Sequence, residues 1–325
     1  MYLVTGGAGF IGSNLVAALV ARGEEVVISD RLRDGEKWKN IAKHPVSDIV
    51  APEDLAEWLG RKPTLKAVFH LGAISATTER NVDRIVANNL RLSSMLWNFC
   101  ADTRTSLVYA SSAATYGRGD LGFVDDDTLE HLAALRPLNP YGWSKALFDI
   151  QAVKSAAAGI APPSWAGLKF FNVYGPNEYH KGNMRSVALQ MYESLRDTQS
   201  VRLFRSADPS YPDGGQMRDF VWVGDCVQMM LWAADHGALA GVFNCGSGHG
   251  RTFLDLVHAV LATTGQEAGI DWVDTPPEIA RHYQYFTQAD MTRARAAGFV
   301  LPATSVETGV DKYLRNHLMQ GDPYA

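Results

Sequence analysis

Thr5-Gly6-Gly7-Ala8-Gly9-Phe10-Ile11-Gly12 follows a short apolar run, Tyr2–Thr5, and opens a helical stretch that starts near Ile11. The spacing is G-x-x-G-x-x-G between a strand and a helix, the context that a dinucleotide-binding turn requires. Glycines let the backbone approach a pyrophosphate, and a helix start offers it unpaired N–H groups and a partial positive charge. A plain glycine-rich turn would have the same letters. Asp30, however, closes the second apolar run, Glu25–Ser29, about 20 residues on, where an acid meets the adenosine ribose. An Asp there ordinarily selects NAD. Arg31, Arg33 and Lys37 follow it, and three cations against one carboxylate can hold a 2′-phosphate by charge-assisted hydrogen bonds. The reading is therefore NADP, its alternative being a solvated basic loop.

Outward from this turn, short apolar runs alternate with helical stretches, the pattern of a parallel sheet wrapped by helices on both faces. Further strands are predicted at Ala67–Leu71, Ser106–Ser111 and Leu168–Phe171, with helices beginning near Pro52, Asn81 and Pro140. From Tyr174 the alternation gives way to loops, with helices at Met184–Arg196 and Val306–Leu318. Within Gly224–Gly246 a helix leads into a strand, Val242–Asn244, that returns to the sheet. The expected architecture is α/β: a Rossmann-type doubly wound parallel sheet from residues 1–173 and 219–248. A smaller, discontinuous α+β substrate domain would come from 174–218 and 249–325. Ala207–Gly215 reads as an exposed loop.

The chain has 325 residues, 46% hydrophobic and 20% charged, with a net charge of -5 and scattered basic residues. That composition gives no electrostatic footprint for nucleic acid or an anionic membrane. Cys100, Cys226 and Cys245 lack C-x-x-C spacing, so neither a disulfide framework nor a metal site is expected. Met1 runs straight into the first strand, with neither a leader pattern nor a spanning segment of about 20 apolar residues. A cytoplasmic protein is expected.

Pro140-Tyr141-Gly142-Trp143-Ser144-Lys145 starts a helix with proline in its first turn, where the missing N–H costs nothing. Tyr141 and Lys145 then share a face, and an ammonium one turn away stabilises a tyrosinate, bringing a phenol of pKa about 10 toward general-base range. Alone this is also the pattern of an ordinary exposed helix face. Tyr109-Ala110-Ser111-Ser112-Ala113-Ala114-Thr115-Tyr116-Gly117 ends a predicted strand, the end at which open α/β sheets bind ligands. Ser112 is placed to hydrogen-bond a reacting hydroxyl. Glycine turn, serine strand and Tyr/Lys helix in this order form a joint signature of a reductase-like site.

On these stretches, together with Asp34–Lys37, Phe171–Pro176, His180–Gly182, Arg218–Asp225 and Tyr283–Asp290, the chain resembles the extended short-chain dehydrogenase/reductase family over nearly its whole length. Within that family it is most similar to the branch that inverts C6 of the heptose in ADP-D-glycero-D-manno-heptose. The resemblance implies transient oxidation of a sugar carbinol by bound NADP and return of the hydride to the other face. The ketone must turn in the site, so an acid/base is useful at two positions. The resemblance assigns these to Tyr141 and Lys181, with Ser112 and Lys145 beside them. For Lys181, gripping a diphosphate is an open alternative.

The cofactor positions so implied are Gly6, Gly9, Phe10, Ile11, Gly12, Asp30, Arg31, Lys37, Leu71, Gly72, Ala73, Ser75, Asn88, Lys145, Val173 and Lys181. For the nucleotide sugar they are Ser112, Asn172, Asn183, Gln190, Phe204, Arg205, Ser206, Ala207, Arg218 and Tyr283. Arg218 has a physical rationale, since a guanidinium matches diphosphate oxygens bidentately; Phe204 and Tyr283 fit equally as core aromatics. Leu71 stands where the branch often has Glu, Pro52 where Lys occurs, and Asn183 and Gln190 where Ser and His are common; the Ala207–Gln216 loop is long. The resemblance also implies a homo-oligomer, pentamers occurring in the branch, and a product used for the lipopolysaccharide inner core. An NAD-dependent UDP-sugar 4-epimerase shares most of these residues, Lys37 and Lys181 speaking against it. A non-catalytic NADP-sensing module would need only the binding half. A 4,6-dehydratase would need an acid/base pair where Ala113 and Ala114 stand.

Overall fold

The computed structural model describes residues 1–276 and 284–325. Its strands are β1 (Tyr2–Thr5), β2 (Val26–Ser29), β3 (Asp48–Val50), β4 (Ala67–His70), β5 (Ser106–Ser112), β6 (Trp165–Phe170), β7 (Asn172–Tyr174), β8 (Ser200–Phe204), β9 (Met217–Trp222), β10 (Ala240–Cys245), β11 (Gly250–Thr252) and β12 (Gly269–Val273). Seven form one parallel sheet in the order β10-β6-β5-β4-β1-β2-β3. The order reverses at β1, whose two neighbours are β2 and β4, which opens a crevice at the strands' C-terminal ends. This is a Rossmann-type sheet.

Alternate side chains of each strand feed two cores. Val4, Ile28, Phe69 and Val108 pack with Leu15, Val16 and Leu19 of helix Phe10–Ala21 and with Met229 and Met230 of helix Val223–Asp235. Leu3, Val27, Val68 and Leu107 pack with Leu96 and Trp97 of the helical segment 82–103 and with Phe148 and Ala152 of helix Pro140–Ala157. Burial on both faces is why these strands read as apolar runs rather than alternating ones. A third core joins β8 and β9 to helices Val187–Thr198, Phe253–Thr264 and Val306–Tyr313 through Leu189, Leu203, Phe220, Leu256 and Val310.

The first helix can start where it does only because position 12 is glycine: a Cβ there would lie 2.1 Å from the Gly6 carbonyl oxygen. Several predicted boundaries shift: β6 begins at Trp165 rather than Leu168, and two helices start later than expected. The Pro52 helix begins at Leu55. The helix expected from Met184 begins at Val187, because Ser186 caps it by accepting from Leu189 N–H, and residues Tyr179–Met184 form a 3-10 turn instead. The stretch after Tyr174 also holds four short strands, β8, β9, β11 and β12, where loops were expected.

A buried chain of hydrogen bonds ties the glycine turn to β4. Ser93 Oγ donates to the Asn89 carbonyl (2.5 Å) and so accepts from His70 Nε2 (2.8 Å). His70 Nδ1 then accepts from Thr5 Oγ1 (2.7 Å), which accepts from Gly72 N–H (3.1 Å). Burial pushes the His70 pKa down to about 3, against about 6.5 in an unfolded chain. Between those values the unfolded chain takes a proton that the folded one refuses, so stability is lost as pH falls through that window. Urea unfolding is expected to show a contribution of up to about 1.4 kcal/mol per pH unit below pH 6.5. His70→Gln should remove it; an unchanged acid slope in that variant would contradict the assignment.

Candidate active site

A cavity of about 940 Å³ opens at the C-terminal ends of β1, β4, β5 and β6. Gly6, Gly9, Phe10, Ile11 and Gly12 border it from the glycine turn, Leu71, Gly72, Ala73 and Ser75 from the segment after β4, and Val173 from β7. Asp30 and Lys37 border it from the end of β2. Asp30 Oδ2 accepts from Ala8 N–H (2.9 Å), while its Oδ1 accepts from Arg31 N–H (2.7 Å) and Lys37 Nζ (2.5 Å). The carboxylate thus locks the glycine turn and Lys37 together.

The three expected cations part company. Arg31 donates to Glu53 Oε1 (2.7 Å) and to Asn88 Oδ1 (3.1 Å), and neither Arg31 nor Asn88 borders the cavity. Arg33 is exposed in the left-handed backbone region, φ 56°. Of the three, only Lys37 reaches the cavity; the Arg31 side chain is engaged by Glu53 and Asn88. A glycine cradle that any side chain at position 12 would block, with an acid and a lysine at the end of β2, fits a nicotinamide dinucleotide.

The reacting centre is assembled by the start of helix Pro140–Ala157. Asn139 caps it, its Oδ1 accepting from Gly142 N–H at 2.8 Å, and Pro140 follows in the first turn. A Cβ at Gly142 would stand 2.6 Å from the Ala114 carbonyl oxygen, so glycine lets the helix rest directly on the turn Ala113–Tyr116 after β5. That contact brings Tyr141 into a hydrogen bond with Ser112. Burial pushes the Tyr141 phenol up, and the Ser112 hydrogen bond pulls it down by less. Lys145 Nζ donates to the Ala110 carbonyl (2.7 Å); burial lowers its pKa to about 8, with Asp149 opposing the shift. The net lowering of the phenol expected from the i,i+4 lysine is therefore not what the protein groups produce. Desolvation outweighs Ser112, and the ammonium is engaged by backbone.

Lys181 enters from the 3-10 turn Tyr179–Met184, with Nζ 5.4 Å from the centroid of the Phe10 ring. Burial lowers its pKa and Glu178 opposes that shift. Glu178, which sequence reading missed, is 1% exposed; its carboxylate accepts from Ser186 N–H, from Ser186 Oγ (2.6 Å) and from Tyr313 Oη (3.1 Å). It fastens the Lys181 turn to the helix that follows and to the C-terminal helix. Thr77, Thr78, His180 and Arg185 also border the cavity without having been expected there. A burial pattern cannot announce them, since each sits in an irregular segment.

Among the residues expected to meet the nucleotide sugar, Ser112, Asn172 and Arg218 border the cavity. Arg218 is 9% exposed, donates to the Met217 carbonyl (2.9 Å) and lies over the Phe253 ring. Asn183 and Gln190 are exposed outside it, Gln190 Nε2 donating to the Arg185 carbonyl (2.8 Å). Phe204, Arg205, Ser206 and Ala207 also lie outside the cavity wall. There Asp213 accepts from Ser206 N–H (2.8 Å) and Arg205 Nη1 (3.1 Å), and Tyr211 stacks on Tyr285. Tyr283 lies outside the described residues.

Fold and cavity together define a nucleotide-binding site of the reductase type, and the chain belongs to the NAD dependent epimerase/dehydratase family, which it matches over residues 2–246. Among its relatives, the chain is 47% identical to an ADP-L-glycero-D-manno-heptose-6-epimerase of Nitratidesulfovibrio vulgaris, with all of both chains covered. It is 41% identical to the protein of the same name from Fusobacterium nucleatum subsp. nucleatum, again over the full length of both. The crystal structure of Helicobacter pylori ADP-L-glycero-D-manno-heptose-6-epimerase superposes with a TM-score of 0.81 at 26% identity, covering 97% of this chain and 95% of that one.

Proposed function

We propose that this chain is an isomerase that inverts C6 of ADP-D-glycero-D-manno-heptose to give ADP-L-glycero-D-manno-heptose. The observation that carries the reading is that Ser112, Tyr141, Lys145 and Lys181 border one cavity together with the glycine turn. The full-length relatives named for this reaction support it, and they do not favour the UDP-sugar 4-epimerase or sensing-module alternatives.

A nicotinamide dinucleotide held by the glycine turn, Asp30 and Lys37 would supply reversible hydride acceptance at the carbinol carbon with return to the opposite face, so that oxidation and reduction would cancel. Tyr141, once ionised, accepts the hydroxyl proton, oriented by Ser112; the protein groups alone raise its pKa, and the positive charge of an oxidised nicotinamide would favour the phenolate. Lys145, whose ammonium donates to the Ala110 carbonyl, would hold the dinucleotide ribose. Lys181 returns or removes the proton when the ketone oxygen has turned to the other position, a role that its burial-lowered pKa suits. Arg218 and Asn172 hold the nucleotide sugar. Residues 1–173 and 219–248 serve the dinucleotide, and 174–218 and 249–325 the substrate. The protein works in the cytoplasm as a homo-oligomer, and its product feeds lipopolysaccharide core synthesis. Chromatographic separation of the two epimers after incubation with purified protein tests the reading; sugar returned unchanged would overturn it.

NADP is the proposed cofactor, held at its 2′-phosphate by Lys37. Since Lys37 alone of the basic loop reaches the cavity, Lys37→Ala should weaken NADP binding by about tenfold or more while NAD binding changes little. Equal losses for both dinucleotides would contradict the phosphate contact.

A further inference from the structure

Tyr141, Lys145 and Asp149 recur every four residues and share one face of helix Pro140–Ala157. The mechanism above uses the first two and leaves the third unexplained. Asp149 is fully buried, and Lys169, on β6, is 1% exposed. Lys169 Nζ donates to Asp149 Oδ2 at 2.8 Å and to Thr115 Oγ1 at 2.7 Å. Asp149 also accepts from Tyr109 Oη (3.0 Å) and Ser111 Oγ (2.7 Å), and Thr115 Oγ1 donates to the Ser112 carbonyl (2.8 Å).

We propose, resting on the catalytic reading of Tyr141 and Lys145, that the Asp149–Lys169 pair is a positioning device for the reacting centre, holding Ser112 from both sides and fixing the charge that Lys145 faces. Ser111 is tied to Asp149 and Thr115 to Lys169, so the strand end between them cannot slide relative to the helix that carries Tyr141. A buried ion pair gives little net stability over apolar residues of the same volume, because both charges are desolvated. Its placement is what matters here. The titratable and charged groups facing Lys145 are Tyr141 and Asp149 on its own helix, His70 on β4, which is neutral, and Lys169 on β6 behind Asp149. Asp149 is thus the near anion that favours the Lys145 ammonium, and Lys169 is the cation that moderates it.

Two single variants should therefore move Lys145 in opposite directions. NMR titration of protein labelled with 13C at the lysine ε-carbons, with Lys145 assigned by Lys145→Arg, reads this without any substrate. The wild-type midpoint is expected near about 8. Asp149→Asn should lower it by about one unit or more, and Lys169→Met, which removes the more distant charge, should raise it by less. In turnover, Asp149→Asn should lower kcat by about 10- to 100-fold with KM within about threefold, as for a misplaced reacting group. Lys169→Arg should keep turnover within about threefold of wild type, and failure of this conservative variant to do so counts against the proposal.

Midpoints that do not move, or that move in the same direction, overturn the proposal. If a single-charge variant does not fold, Asp149→Asn combined with Lys169→Met leaves no unpaired charge; its Lys145 midpoint should fall, and an unchanged midpoint overturns the proposal. A wild-type protein that titrates as described yet leaves the ADP-heptose untouched would sink the functional reading while leaving the positioning role standing.

Discussion

Tyr141→Phe should reduce epimerisation by about 10²- to 10⁴-fold, the range that a positioned acid/base supplies, with the dinucleotide still bound. The substitution keeps the aromatic ring and removes only Oη, the atom that meets Ser112. On the proposed reading the dinucleotide would be held elsewhere, by the glycine turn, Asp30 and Lys37, so cofactor released from the denatured variant should equal that from wild type. Substrate and dinucleotide binding should change little, and the loss should appear in kcat. A variant that turned over normally would show that another group takes the proton. A variant that lost its cofactor would show that Tyr141 serves binding.

Lys181→Met should impair epimerisation by about 10²-fold or more while KM stays within about threefold. Methionine has nearly the length of lysine and keeps the contact with Phe10, so the turn Tyr179–Met184 should hold its place. What disappears is a buried ammonium whose proton is loosened by desolvation. That is the property wanted of an acid/base and not of a diphosphate anchor, for which a firmly protonated group serves better. Steady-state kinetics decides between the two. A rise in KM with kcat preserved would make Lys181 a diphosphate ligand and leave the second acid/base position to another residue.

The dinucleotide half was readable because its signals are local. β1, β2 and β4 are buried on both faces and stand out as apolar runs, and the glycine turn must carry its letters in sequence to leave room between Gly6 and Gly12. The substrate half hides its order. β7 and β11 are three residues long, and β8 pairs with β12 some 70 positions further on, so neither periodicity nor turn chemistry announces them. The same division runs through the site. Ser112, Tyr141 and Lys145 follow from spacing, whereas Glu178 and Asp149 acquire meaning only from Tyr313 and Lys169, which no local pattern links to them. Arg31 shows the converse failure, a charge placed correctly in sequence but drawn outward by Glu53.

On the proposed mechanism C6 inverts by loss and return of its own hydride, with protein groups moving only the hydroxyl proton. Incubating the purified protein with ADP-D-glycero-D-manno-heptose in deuterium oxide and recording the NMR spectrum tests it directly. A second set of C6 resonances from the inverted sugar is expected, with protium retained at C6. Deuterium at C6 would mean removal of a carbon-bound proton to solvent, and an unchanged spectrum would mean a different substrate; either result contradicts the account.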